Sequence, residues 1–181
     1  MDDSLYTQRP WLNNYDKHVP PNLTYDNRSF CERFRDIVAQ FPDKPAVIYL
    51  GKYLSFKDMD LLSNQLAHYL KQSGLKPGQV VGLNMPNIPA HYIAVLAVQK
   101  ADGVSSGLSP LLTASELVHQ INDAGIQMVL TVDVLYEKIR QVKAAARGLS
   151  VDFYPNFTRD ELRAYYQRPD YRPPAGCRCQ S

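Results

Sequence analysis

The sequence predicts an α/β fold: a mixed, largely parallel layered sheet with helices on both faces. Two observations carry this. From residue 80 onward, short apolar runs alternate with amphipathic helical segments. The runs VVGLNM, GVSSGLSP and IQMVLT also lack the strict polar alternation of a sheet with one wet face, so each reads as a strand covered on both sides.

Residues 1–28 carry Pro10, Pro20 and Pro21 and no sustained period, and read as an extended arm. Its expected anchors are Trp11, Leu12 and Tyr15, because large apolar side chains bury the most area. Ser29 and Glu32 form a capping box that opens the first helix. Phe30, Phe34, Ile37, Val38 and Phe41 then share a face, and Pro42 ends the helix. The segments 45–50 and 53–56 flank Gly51-Lys52 and predict a hairpin with that two-residue link. Ser55 and Asp58 cap a long helix with a stripe of Met59, Leu62, Leu66, Tyr69 and Leu70, and Gly74 closes it.

The strand VVGLNM is followed by a proline-bracketed turn and the helix HYIAVLAVQKA. The strand at 103–110 fades into a Ser/Gly loop, and Thr113 with Glu116 caps the next helix, closed by Gly125. IQMVLT and VLYEKIRQVKAAA complete the pattern. The predicted core comprises Phe34, Ile37, Val38, Val47, Ile48, Leu62, Leu66, Leu70, Val80, Val81, Leu83, Ile93, Leu96, Leu117, Ile121, Met128, Val129 and Leu130.

Composition narrows the function. A net charge of +2, with Lys and Arg scattered, gives no basic stripe for nucleic acid. The N-terminus has no apolar signal core, and no window approaches a membrane span. Three cysteines, Cys31, Cys177 and Cys179, make no disulfide framework, so a reducing, cytoplasmic setting fits best. Peripheral contact with a membrane stays open.

Two blocks carry a family resemblance. KYLSFKDMDLLSNQLAHYLKQSGLKPGQVVGLNMPNIPAHYIAVLAVQKADGV contains a capped helix, the turn Lys76-Pro77-Gly78-Gln79 and the loop Asn84-Met85-Pro86-Asn87. It resembles the opening of the adenylate-forming, AMP-binding superfamily. GLSPLLTASELVHQINDAGIQMVLT resembles the next family element. The arm RPWLNNYDKHVPPNL resembles that of bacterial long-chain fatty-acid–CoA ligases. The resemblance covers roughly residues 9–147. A dinucleotide-binding domain would instead offer G-x-G-x-x-G after its first strand. Gly74, Gly78 and Gly82 do not have that spacing.

The resemblance implies ATP-dependent adenylation of a fatty acid with Mg²⁺, then transfer to coenzyme A. It also implies a phosphate loop ending in Lys, a Glu for Mg²⁺, an Asp for the ribose and a Lys on a mobile domain, all beyond the matched region. We therefore expect an incomplete subdomain at 29–150 and a divergent, poorly ordered tail at 151–181. That tail holds Arg but no Lys, which suggests a shifted reading frame, and its TRDELRAYYQ is compatible with a short helix. The chain is expected to be a ligase fragment, inactive alone, binding none of ATP, Mg²⁺ or CoA well. The alternatives are a non-catalytic interaction module, its exposed face covered by a protein partner, and a truncation product without function.

No catalytic, cofactor-binding or metal residue is assigned. His68, His91 and His119 lie on predicted helices. His119 and Asp123 sit four apart on one face, a spacing more common in surface hydrogen bonds than in metal sites. Asp58 reads as a cap and Asp60 as part of a solvated face, while Cys31 reads as a packing residue. Cys177 and Cys179 lack the second ligand pair a metal site needs.

Overall fold

A computed structural model describes residues 4–146 and 149–153 of the chain. Its centre is a four-stranded parallel sheet of order β4-β3-β5-β6, formed by Val80–Asn84 (β3), Val104–Gly107 (β4), Ile126–Thr131 (β5) and Ser150–Phe153 (β6). A separate antiparallel hairpin pairs Pro45–Tyr49 (β1) with Lys52–Ser55 (β2). Helices Phe30–Gln40 (α2), Phe56–Gln72 (α3) and Pro89–Lys100 (α4) build one layer. Ala114–Asp123 (α5) and Asp133–Ala145 (α6) build the other. The expected α/β architecture, with both sheet faces covered, is the observed one.

Two apolar cores result. Val81, Leu83, Met128 and Leu130 face α3 and α4, among Leu62, Leu66, Leu70, Ile93 and Leu96. Ile126 and Val129 face α5 and α6, among Leu117, Ile121, Ile139 and Val142. Strand side chains alternate faces, so Ile126 and Met128 would ordinarily point the same way. The register shifts between Val80 and Val81, with Gln127 as the extra residue, and this bulge sends them to opposite cores.

The three capping boxes form as the sequence predicts, at Ser29/Glu32, Ser55/Asp58 and Thr113/Glu116. Each side-chain oxygen takes a backbone N–H at the helix start while the acid takes the N-cap donor. The bond from the Ser29 or Thr113 backbone, then that from its hydroxyl, holds Glu32 and Glu116 below the usual carboxylate pKa. With the folded value depressed, their contribution is present above the unfolded pKa of about 4.5 and is lost as pH falls through the folded value. Glu116→Gln should therefore flatten part of the acid limb of a stability–pH curve. An unchanged limb would contradict the box.

Helix α3 ends in a Schellman motif. Leu75 N–H donates to Leu70 O (3.0 Å) and Gly74 N–H to Lys71 O (3.2 Å), with Gly74 at φ 96°. Lys76-Pro77-Gly78-Gln79 is a type II turn: Gln79 N–H donates to Lys76 O and Gly78 has φ 78°. It aims the chain into β3.

Several expectations need correction. The hairpin link is Leu50-Gly51, not Gly51-Lys52. Both residues have positive φ (47° and 74°), as a type I′ turn requires, and Tyr49 pairs with Lys52. A leucine in left-handed backbone is strained, so Leu50→Asn should stabilise the chain by about 0.5–1 kcal/mol in a urea melt. A loss of stability would contradict this turn. Ile48 is 75% exposed rather than buried, because strand alternation turns inward its neighbour Val47, itself half-buried. Phe30, Ile37 and Tyr69 are also exposed, since α2 and α3 bury narrower stripes than their apolar residues span. Val38 and Val80 lie at the core margins.

The arm contains a helical turn, Leu5–Gln8 (α1), and a 3₁₀ turn, Pro10–Asn14. Trp11 and Tyr15 are exposed and Leu12 is half-buried, so they do not anchor it, although Trp11 meets Tyr6 edge-on at 5.9 Å. Strand β6 was not expected and straddles the anticipated boundary at residue 150. The compatible short helix, Cys177 and Cys179 lie outside the described residues.

Candidate functional site

The order β4-β3-β5-β6 places the reversal of chain winding between β3 and β5. The connection after β3 runs to one side and the next crosses to the other. In open α/β sheets, ligands meet the carboxyl ends of the strands at such a point. Here the last residues of the two strands are polar and fully buried, Asn84 and Thr131. Thr131 Oγ1 donates to Asn84 O (3.1 Å), and Asn84 Nδ2 donates to Leu108 O (3.1 Å) and Ser109 O (3.4 Å). This small network ties β3, β5 and the loop after β4. Asn84 Oδ1 is buried without a protein donor.

The two helices that follow these central strands start differently from those with boxes. Helix α4 has Ile88 at its N-cap and α6 has Val132, neither with a side-chain cap. Asp133 takes the Val134 N–H at 2.8 Å. His91, in the first turn of α4, is half-buried. Burial lowers its pKa from the ordinary value and favours the neutral ring. Lys138 Nζ donates to Pro110 O (2.7 Å) and Leu112 O (3.0 Å), pinning the β4–α5 loop to α6. Between those two acceptors Leu111 is 93% exposed, and Val134 is also bare.

The residues considered from sequence do not assemble here. His68 is on α3, His91 on α4, and His119 and Asp123 are on α5, where the last two are exposed and form no mutual hydrogen bond. Cys31 is half-buried, and burial raises its thiol pKa, which fits packing rather than reactivity. Asp58 is the cap residue expected. Asp60 departs from expectation: it pairs with Lys100 (2.7 Å) in the α3–α4 seam instead of lying on a solvated face.

The phosphate and metal groups of an adenylating enzyme find no fit among these residues. The Ser/Gly run 104–107 is a strand, not a cradle: Val104 N–H is spent on Gln79 O, and Leu108 N–H on Leu83 O. Among the described residues, no three His, Cys, Asp or Glu side chains group as a metal site would need.

Sequence comparison gives the family. The profile described as AMP-binding enzyme matches residues 34–171, and the chain belongs to that family. It is 34% identical over 139 residues to a long-chain-fatty-acid–CoA ligase of Bacillus subtilis, a match covering 77% of this chain and 25% of the relative. A ligase of the same description from Escherichia coli O157:H7 is 32% identical over 137 residues, covering 75% and 24%. The fold is similar to that of a long-chain-fatty-acid–CoA ligase from Archaeoglobus fulgidus, with TM-score 0.70 at 21% identity over 82% of this chain and 32% of that one. It is also similar to a benzoate CoA ligase from Burkholderia xenovorans, with TM-score 0.68 at 19% identity over 85% and 31%. The chain spans about a quarter of the length of the curated relatives it matches.

Proposed function

We propose that this chain is the scaffold segment of a fatty-acid–CoA ligase and does not adenylate by itself. In the complete enzyme, ATP and Mg²⁺ would activate the fatty acid as an acyl-adenylate, and CoA would accept the acyl group. This segment would hold the carboxyl-end wall through Asn84, Thr131 and the Lys138-pinned loop, while other segments supply the reacting groups. The observation that carries the reading is the match to ligases over a quarter of their length, joined to a switch point whose two strand ends are closed by the buried, uncharged Asn84 and Thr131. Bare Leu111 and Val134 beside it suit a face covered by further polypeptide. We place the protein in the cytoplasm. Among the described residues, no helix is long and apolar enough to cross a membrane. ATP–pyrophosphate exchange with a set of fatty acids tests the reading, which expects none from the chain alone.

A further inference from the structure

The loop after β4 is fastened from two sides. Asn84 on β3 donates to Leu108 O and Ser109 O, and Lys138 on α6 donates to Pro110 O and Leu112 O. The carbonyls of Leu108, Ser109, Pro110 and Leu112 are thus all held by side chains of other elements. The amides are spent as well: Leu108 N–H on Leu83 O, Leu111 N–H on Ser109 Oγ (3.3 Å) and Leu112 N–H on Ser109 O (3.3 Å). A loop whose backbone groups are satisfied in this way is ordered before a partner arrives. What it holds out is the side chain of Leu111, 93% exposed.

Val134 enlarges the same face. It precedes Lys138 by one helical turn, so it lies on the side of α6 whose lysine grips the loop. It is 81% exposed. Single bare aliphatic side chains are ordinary on a protein surface. Two of them flanking one fastened loop, at the carboxyl ends of the strands, form a contact surface whose ordering cost is already met in the free chain. The relatives indicate what covers it, since the match leaves about three quarters of the Bacillus subtilis ligase outside it.

We propose that this chain works in trans: the face bearing Leu111 and Val134 docks a separate polypeptide carrying the phosphate-binding and metal-binding part of an adenylate-forming ligase. The pair then activates a carboxylate. A carboxylate oxygen bonds the α-phosphorus of ATP as the α–β phosphoanhydride breaks and pyrophosphate leaves. This proposal rests on the scaffold reading above and adds the partner to it.

Co-expression of the full chain with a tagged Bacillus subtilis ligase lacking its matched 139-residue segment tests this. The tag should retain the full chain. The purified pair should catalyse ATP–pyrophosphate exchange with fatty acids and Mg²⁺, and neither polypeptide should do so alone. Leu111→Asp/Val134→Asp alters only exposed side chains, so it should keep the urea melt of the chain while raising the dissociation constant about a hundredfold. Leu61→Asp, on the other layer and 56% exposed, should leave capture unchanged. Recovery of the tagged polypeptide without this chain would overturn the proposal and leave the scaffold reading standing. Capture without exchange would overturn it too, as would capture that survives the double substitution. Exchange by this chain alone would instead overturn the scaffold reading itself.

Discussion

Leu66→Ala should lower the unfolding free energy by about 2–5 kcal/mol, read as a lower urea midpoint at unchanged slope. Leu66 is buried at the centre of the α3 stripe, with Leu62 and Leu70 one turn to either side. That stripe meets α4 and, through it, β3. Removing three methylene-scale groups there deletes transfer energy and leaves a cavity that two helices and a sheet cannot easily close. The matched control is Leu61→Ala on the same helix. Leu61 is 56% exposed, and its truncation should change stability by no more than about 0.5 kcal/mol. Equal effects at the two positions would mean that α3 does not pack on the face described.

Lys100→Met should cost about 1–3 kcal/mol despite keeping the apolar stem. The ammonium closes the α3–α4 seam, donating to Asp60 Oδ1 (2.7 Å), Ser63 Oγ (2.8 Å) and Asn64 Oδ1 (2.8 Å), with Asp60 O at 3.2 Å. It also lies 5.5 Å from the Phe34 ring centre, linking α2 to the same seam. Its side chain is 13% exposed and that of Asp60 is 32%, so water relieves only part of the loss when the carboxylate is stranded. A double-mutant cycle with Asp60→Asn isolates the pair. A coupling energy indistinguishable from zero would mean that the lysine acts by packing alone.

Helices α2, α3 and α5 were legible because their starts are written locally: Ser or Thr followed three residues later by Glu or Asp requires no tertiary contact. The parallel sheet was legible from apolar runs separated by helix-length segments. What escaped depends on contacts remote in sequence. Thr131 meets Asn84 across 47 residues, and only the crossing from β4 to β5 makes their strands neighbours. Read singly, each is just a polar residue ending an apolar run. Strand β6 is four residues long, too short for a period to declare itself, and it forms because β5 presents a free edge. The hairpin slipped by one residue because Gly51 alone suggested the turn, whereas a type I′ turn also recruited Leu50 into left-handed backbone. Asp60 looked solvated because its partner Lys100 lies forty residues on.

The most direct test of the central claim, that this chain is a scaffold without reacting groups, is ATP–pyrophosphate exchange on the purified, folded chain with Mg²⁺ and a mixed set of fatty acids. Exchange reports adenylation without requiring coenzyme A, and a cooperative urea transition on the same sample establishes that the protein is folded. The scaffold account predicts no exchange above a protein-free blank. Exchange that follows the chain through stringent purification and is lost when it unfolds would contradict the account, because residues within this segment would then bind ATP and activate the carboxylate.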